Sequence, residues 1–275
     1  MTPGTGPGEP TLRLLAVLAH PDDETLGVGG VFARYAQEGV GTYLVTATRG
    51  DRGRFRGERD GPGHPGQEVL ARIREGELRA AAAVLGIRGV TLLDYGDGRV
   101  DEADPREAIA RIAAEIRRVR PQVVITFAPD GAYGHPDHVA VSQLTTAAVV
   151  AAAGPAMEGS PHAVSKLYYI VSSEARWDAY QAAFKKLTSL VDGVERQAQP
   201  WPAWMITTRI DTRAQWNTVW RAVTCHDSQV AGYRTLNELA PEHHEALWGQ
   251  QEFYRAMSVV NGGRRTESDL FEGVR

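Results

Sequence analysis

From Leu12 to Ala19 every position except Arg13 is apolar. A run without alternation reads as a strand buried on both faces, as in a parallel sheet. Val28, Phe32, Tyr35 and Ala36 then recur at helical spacing, predicting a helix over Thr25–Gln37 with Gly39 just past its end. Thr42–Thr48 is rich in β-formers, Glu68–Leu85 is a strong helix former stopped by Gly86, and Val90–Leu93 reads as a third strand. Arg106–Val119 follows as a helix halted before Pro121, Val123–Phe127 as a buried strand, and His138–Ala153 as a helix.

Alternation of this kind predicts an α/β fold: a doubly wound, mostly parallel, Rossmann-like sheet with helices on both faces. Further on, Lys166–Val171 and Met205–Ile210 read as strands, and Thr212–Val223 and Glu242–Met257 as helices. With no internal repeat and no clear linker, residues 12–275 are expected to form a single domain behind a flexible tail, residues 1–11, rich in Gly, Pro and Thr. Gly50–Gly66 departs from the short connections. It holds six glycines, two prolines and Arg52, Arg54, Arg56 and Arg59, so it predicts a long loop at the C-terminal end of the second strand, where parallel sheets bind ligands. A lid and a plain surface loop are equally compatible with it.

Composition narrows the function. The chain of 275 residues is 43% hydrophobic and 23% charged, which suits a soluble globular protein. No apolar run approaches the roughly 20 residues of a membrane span, and the N-terminus does not build a signal peptide. A net charge of −4 gives no global support to nucleic-acid binding. The lone Cys225 excludes multi-cysteine zinc sites and an intrachain disulfide, leaving the cytoplasm as the expected compartment and His and carboxylates as the main metal ligands. Homo-oligomerisation is left open.

The chemistry gathers at two strand ends. His20 and Asp23 stand three residues apart just after the first strand, and His135 and His138 repeat the spacing after the fourth. Loops at such edges meet at the switch point of an open sheet, and mixed His and carboxylate ligands with one position left to water are typical of catalytic zinc. Pro21 and Pro136 restrict the backbone beside the ligands. Spacing alone does not choose between Asp22 and Asp23.

Ala-His-Pro-Asp-Asp-Glu at Ala19–Glu24 and Gly-His-Pro-Asp-His at Gly134–His138 resemble the LmbE-like, or GlcNAc-phosphatidylinositol de-N-acetylase-like, family of zinc amidases. Arg74-Glu75-Gly76-Glu77-Leu78 before Leu85-Gly86 resembles the family's Arg-x-x-Glu-Leu helix, and His226-Asp227-Ser228-Gln229 its late His-x-Ser/Thr-Gln element, so the resemblance runs from about Leu12 to about Gln229. It implies one zinc ion held by His20, Asp23 and His138, with Asp22 as general base. It implies a positively charged His135, oriented by Asp137, that stabilises the oxyanion or protonates the departing amine, and Tyr133 as a mobile donor. Arg74 and Asp97 are implied to bind substrate. The expected substrate is a small N-acetylated amino sugar conjugate. Relatives also include amidases of thiol conjugates and antibiotic-tailoring deacylases, and Asp130–His138 looks closest to the low-molecular-weight thiol branch.

Plainer readings stand beside these. Glu24 suits a helix N-terminus as well as any function, His226 packs or caps a helix as readily as it joins a site, and Arg74 could pair with Glu77 on a helix surface. Cys225 is expected in core packing; His243 and His244, with no His-Glu-x-x-His pattern, are expected at the surface. A nucleotide-binding protein of the same fold class is the main competitor, but Gly27, Gly29 and Gly30 lie in the predicted helix at the wrong spacing for G-x-G-x-x-G. No G-x-S-x-G elbow marks a serine hydrolase. Retention of Asp22 beside three candidate ligands argues against a non-catalytic sugar-binding relative.

Overall fold

The computed structural model describes residues 11–156, 159–183, 188–191, 193–197, 199–230, 236, 238–261, 263 and 265–275; most of the expected tail, residues 1–10, lies outside them. The first half alternates β1 (Arg13–Leu18), α1 (Asp23–Gln37), β2 (Gly41–Thr48), α2 (Gln67–Leu85), β3 (Gly89–Tyr95), α3 (Pro105–Val119) and β4 (Val123–Phe127). A short irregular turn, α4 (Gly131–Gly134), leads into α5 (Pro136–Ala153) and β5 (Lys166–Val171). Next come α6 (Glu174–Ala183), the hairpin β6 (Thr188–Val191) and β7 (Val194–Gln197), β8 (Thr208–Asp211), α7 (Trp216–Val223), α8 (Asp227–Val230), α9 (Pro241–Trp248) and β9 (Gln250–Ser258).

Seven strands make one sheet in the order β3-β2-β1-β4-β5-β9-β8. The first five run parallel, whereas β9 and β8 are antiparallel additions at one edge. β1 sits between β2 and β4, which is why Leu14 through Leu18 have no exposed surface and why the strand reads as an unbroken apolar run. α3 packs against α5, while α1, α2 and α7 contact one another. The chain moves outward from β1 through β2 and β3, then returns to lay β4 on the other side of β1, placing the switch point between β1 and β4. Ala16 pairs with Ile125, and each strand has two residues left beyond that pair, so both loops emerge at the same height.

Local signals account for the boundaries. Gly86 adopts φ 75° at the end of α2, and Asp104 accepts the Arg106 N–H at 2.9 Å where Pro105 begins α3. Gly30 is needed for packing: a Cβ there would lie 2.6 Å from Thr212 Cβ. Gly29 is similarly tight against α7, where a Cβ would lie 3.1 Å from Val219, whereas a Cβ on Gly27 would meet only Ile170 at 3.7 Å.

Two expectations fail. Glu242–Met257 is not one helix: α9 stops at Trp248, and Gln250–Ser258 becomes β9, inserted between β5 and β8. Gln251, Glu252 and Phe253 are all buried there, so the strand lacks the alternation that would have revealed it. His244 is not at the surface. It is buried beside Trp220, with ring centroids 4.4 Å apart, and stacks with Trp216 and Trp248, while His243 is exposed as expected. Cys225 packs against the main core, also as expected. Among the described residues no helix is long and apolar enough to cross a membrane.

Candidate active site and metal centre

The two motifs converge at the C-terminal edge of β1 and β4. In the turn after β1, Asp23 Oδ2 accepts the N–H groups of Ala19 at 3.2 Å and His20 at 2.7 Å, which leaves Oδ1 facing His138 Nε2 at 3.6 Å. His20 Nδ1 lies 3.2 Å from His138 Nε2 and 3.7 Å from Asp23 Oδ2. Tetrahedral bonds of about 2.0–2.1 Å separate ligand atoms by about 3.3–3.4 Å; the His20–His138 and His138–Asp23 Oδ1 separations match that spacing, whereas the approach of Asp23 to His20 is made by its other oxygen, Oδ2. His138 is held by a stacked Phe127 ring, centroids 3.9 Å apart.

His20 turns its second nitrogen, Nε2, to Asp137 Oδ2 at 2.9 Å and Asp97 Oδ1 at 3.2 Å. Metal-binding histidines characteristically donate their remote N–H to a carboxylate in this way. Asp137 also accepts the Gly98 and Val100 N–H groups at 2.7 and 3.0 Å, and Asp97 accepts the Arg52 N–H at 2.8 Å. Among the described residues, the groups of three side chains that bring one ligand atom each within 4.8 Å of one another are His20 with His135 and His138, and His20 with Asp97 and Asp137. In the first, His135 Nδ1 already accepts the Asp137 N–H; in the second, both carboxylates hold backbone donors. Asp23 Oδ1 is the freer ligand.

The electrostatics favour a cation. Burial alone would depress His20, but its hydrogen bonds to Asp137 and Asp97 and the charges of Asp23 and Asp97 raise it to about 10. Burial, opposed by His20 but reinforced by neighbouring Asp22 and Glu24, pushes Asp23 up to about 7, and burial raises Asp22 as well. Asp97 and Asp137, held by His20 and backbone donors, are instead lowered. His138 is driven well below its ordinary value by burial and by the charges of His20 and His135, and so presents the neutral ring that a ligand needs.

The surroundings of His135 differ in two respects from those the resemblance implies. It is the N-cap of α5, and its Nδ1 accepts the main-chain N–H of Asp137 at 3.2 Å. That lone pair places the proton on Nε2, and burial, aided by the charge of His20, lowers the ring to about 4. Both features favour a neutral ring with its proton on Nε2 over the cation that the resemblance implies. The Asp137 carboxylate orients His20, not His135, because His20 and two backbone donors occupy it. Tyr133, in the α4 turn where Ala132 has φ 66°, packs edge-on to His135 and His138, with centroids 5.8 and 5.3 Å apart.

Arg74 is buried, and its guanidinium donates to Gly50 O at 2.9 Å, to Pro21 O and to Asp22 Oδ2 at 3.1 Å. Gly50 and Gly53 make room for it, since a Cβ on either would lie within 2.1 and 2.7 Å of Arg74 Nη1. Glu77, its alternative partner, instead accepts the Ser228 N–H and hydroxyl, both at 2.7 Å. The Gly50–Gly66 loop is tied down as well: Arg56 N donates to Ser228 O at 2.6 Å and Gln229 Nε2 to Arg54 O at 2.8 Å.

Sequence reasoning missed a wall and a buried pair. The β6–β7 hairpin packs on α4, and Gly134, at φ 76°, leaves space for the Arg196 stem, which a Cβ would approach to 3.0 Å. Glu24 meets His226 at 2.6 Å, both buried. Both residues stand in recognised motifs, but 202 positions separate them, and no local pattern pairs them.

The family model for PIG-L, GlcNAc-PI de-N-acetylase, matches residues 15–149. A relative from Kineococcus radiotolerans described as 1D-myo-inositol 2-acetamido-2-deoxy-alpha-D-glucopyranoside deacetylase is 35% identical, with 95% of this chain and 83% of the relative covered. Its namesake from Rhodococcus opacus is 37% identical over 95% of this chain and 98% of its own length. Among solved structures, the conserved protein TT1542 from Thermus thermophilus superposes with a TM-score of 0.65 at 27% identity, covering 92% of this chain and 98% of that one. The two relatives span nearly the whole chain, and the family match takes in both motifs; the chain belongs to the GlcNAc-PI de-N-acetylase (PIG-L) family and is a de-N-acetylase, a hydrolase of an amide C–N bond.

Proposed function

We propose that the chain removes the acetyl group from an N-acetylglucosamine–inositol conjugate, using one zinc ion held by His20, Asp23 and His138. The observation that carries this reading is that His138 Nε2 lies 3.2 Å from His20 Nδ1 and 3.6 Å from Asp23 Oδ1, beside a half-buried carboxylate, Asp22, that takes part in neither contact. Zinc bound there supplies Lewis acidity to a water molecule and to the amide carbonyl. Asp22 removes the proton from the attacking water, and burial, which raises its carboxyl above the ordinary carboxylate range, makes it a stronger base than an exposed aspartate. The same carboxyl then returns that proton to the departing amine, a step that neutral His135 is poorly suited to perform. His135 Nε2–H and the Tyr133 hydroxyl donate to the developing oxyanion.

Arg74 and Asp97 take different parts from those the family resemblance implies. Arg74 holds the Asp22 carboxylate, and Asp97 shares with Asp137 the task of orienting His20. The substrate assignment follows the two inositol-conjugate deacetylases to which the chain is 35% and 37% identical.

Asp22→Asn tests the base directly. Acetate release should fall roughly 10²–10⁴-fold, the usual contribution of a general base, with zinc content unchanged by elemental analysis; full turnover would remove Asp22 from the mechanism. Amine release measured across N-acetylglucosaminyl inositol, malate and thiol conjugates should favour the inositol compound. Activity confined to another conjugate would overturn the substrate assignment and leave the site chemistry standing.

A further inference from the structure

Asp22 holds φ 113° and ψ −28°, a backbone conformation that L side chains seldom adopt and that persists only where surrounding groups enforce it. The enforcing contacts are specific. Its N–H donates to Glu24 Oε2 at 2.9 Å, and its carbonyl accepts from Thr25 N and Leu26 N at 3.0 Å each and from Thr25 Oγ1 at 2.8 Å. Glu24 is fully buried, folded back beneath the turn rather than facing water as an ordinary first-turn carboxylate would. Its other oxygen, Oε1, lies 2.6 Å from Nε2 of His226, which is 1% exposed.

We propose that Glu24 and His226 are positioning residues for the general base: His226 fixes the Glu24 carboxylate, and Glu24 fixes the Asp22 backbone so that its side chain faces the attacking water. The inference rests on the reading of Asp22 as that base. Arg74 supplies the second hold, on the Asp22 carboxylate and on the Pro21 carbonyl, so backbone and side chain are restrained by separate partners. Packing alone does not explain the pair. Well-packed apolar residues commonly match or exceed a buried ion pair in stability, whereas only an acceptor at Glu24 can bind the Asp22 N–H.

Four variants of the full, zinc-loaded chain test this. His226→Leu should lower kcat roughly 10- to 100-fold, the usual cost of losing a residue that orients a catalytic group, with KM, zinc stoichiometry and the melting profile preserved. His226→Gln returns a donor to Glu24 and should recover most of the loss. Parental kcat in His226→Leu, or equal impairment in both variants, overturns the proposal. Should His226→Leu fail to fold, Glu24→Gln, which keeps an acceptor, should exceed Glu24→Met in kcat, and equal rates would overturn it. A double-mutant cycle separates this inference from the reading it rests on. In an Asp22→Asn background His226→Leu should cause no further loss, and additive losses would show that His226 does not act through Asp22. Full turnover by Asp22→Asn alone would instead overturn the assignment of the base.

Discussion

Two buried carboxylate clusters lie at opposite ends of the parallel strands. At the N-terminal end, Glu267 accepts from Lys166 Nζ at 2.7 Å, Tyr168 Oη and Thr208 Oγ1 at 2.8 Å, Arg255 Nη1 at 2.6 Å and Asn261 Nδ2 at 2.9 Å. Burial raises its carboxyl, but these donors more than offset it and hold the group down to about 2. At the C-terminal end the carboxylates divide: burial raises Asp23 to about 7 and raises Asp22, whereas His20 and backbone donors hold Asp97 and Asp137 low. Glu267 has almost no exposed side chain, whereas Asp22 and Asp23 keep 23% and 14% of theirs exposed, so the depth of burial does not explain which carboxyls are raised. The Glu267 cluster satisfies its carboxylate from within the chain, whereas the partners of Asp22 and Asp23 do not offset their desolvation.

The comparison can be broken most sharply at Glu267. Glu267→Ala leaves Lys166 buried without its counter-charge and should cost about 3–5 kcal/mol of stability, read by urea unfolding, while kcat of the folded enzyme stays unchanged. A comparable loss of kcat would mean that the two ends are not independent. The pH dependence has a definite sign. Because the folded pKa is depressed, the stabilisation from Glu267 is complete above its unfolded value of about 4.3 and is lost as pH falls toward about 2. Parallel acid-unfolding curves for the parent and Glu267→Ala would contradict this.

A smaller effect is expected at Asp137. Asp137→Asn removes the charge that orients His20 and should weaken metal binding roughly 10- to 100-fold, measured against a competing chelator; unchanged affinity would show that the carboxylate is not needed for ligand orientation. Smaller still is a proton signature. An incoming metal must displace the proton that the cluster holds on His20 up to about 10, so binding at pH 7 should release protons and weaken as pH falls. Calorimetry in buffers of different ionisation enthalpy reads the release, and a buffer-independent enthalpy would count against His20 as a ligand. Glu267, already satisfied, should show no such exchange.

Legibility followed the range of the interactions. β1 and β4 were plain as uninterrupted apolar runs, and α2 carried its own glycine stop, because these signals are written in neighbouring residues. β9 was misread as helix because its burial comes from insertion between β5 and β8, which the residues around Phe253 do not encode as alternation. His244 looked like a surface residue because its aromatic neighbours Trp216 and Trp220 lie on α7, remote in sequence.

The site divides in the same way. The paired motifs, read with the strand order, place His20, Asp23, His135 and His138 at one sheet edge, since a strand-to-helix turn puts its first residues above that edge whatever surrounds it. Charge and partnership were settled only by the tertiary structure. Asp137 serves His20 across 117 residues, Arg74 holds Asp22 across 52, and Glu24 meets His226 across 202. Those contacts govern tautomers, carboxylate pKa values and the backbone of Asp22 because electrostatics and desolvation depend on distance through space, which separation along the chain does not encode.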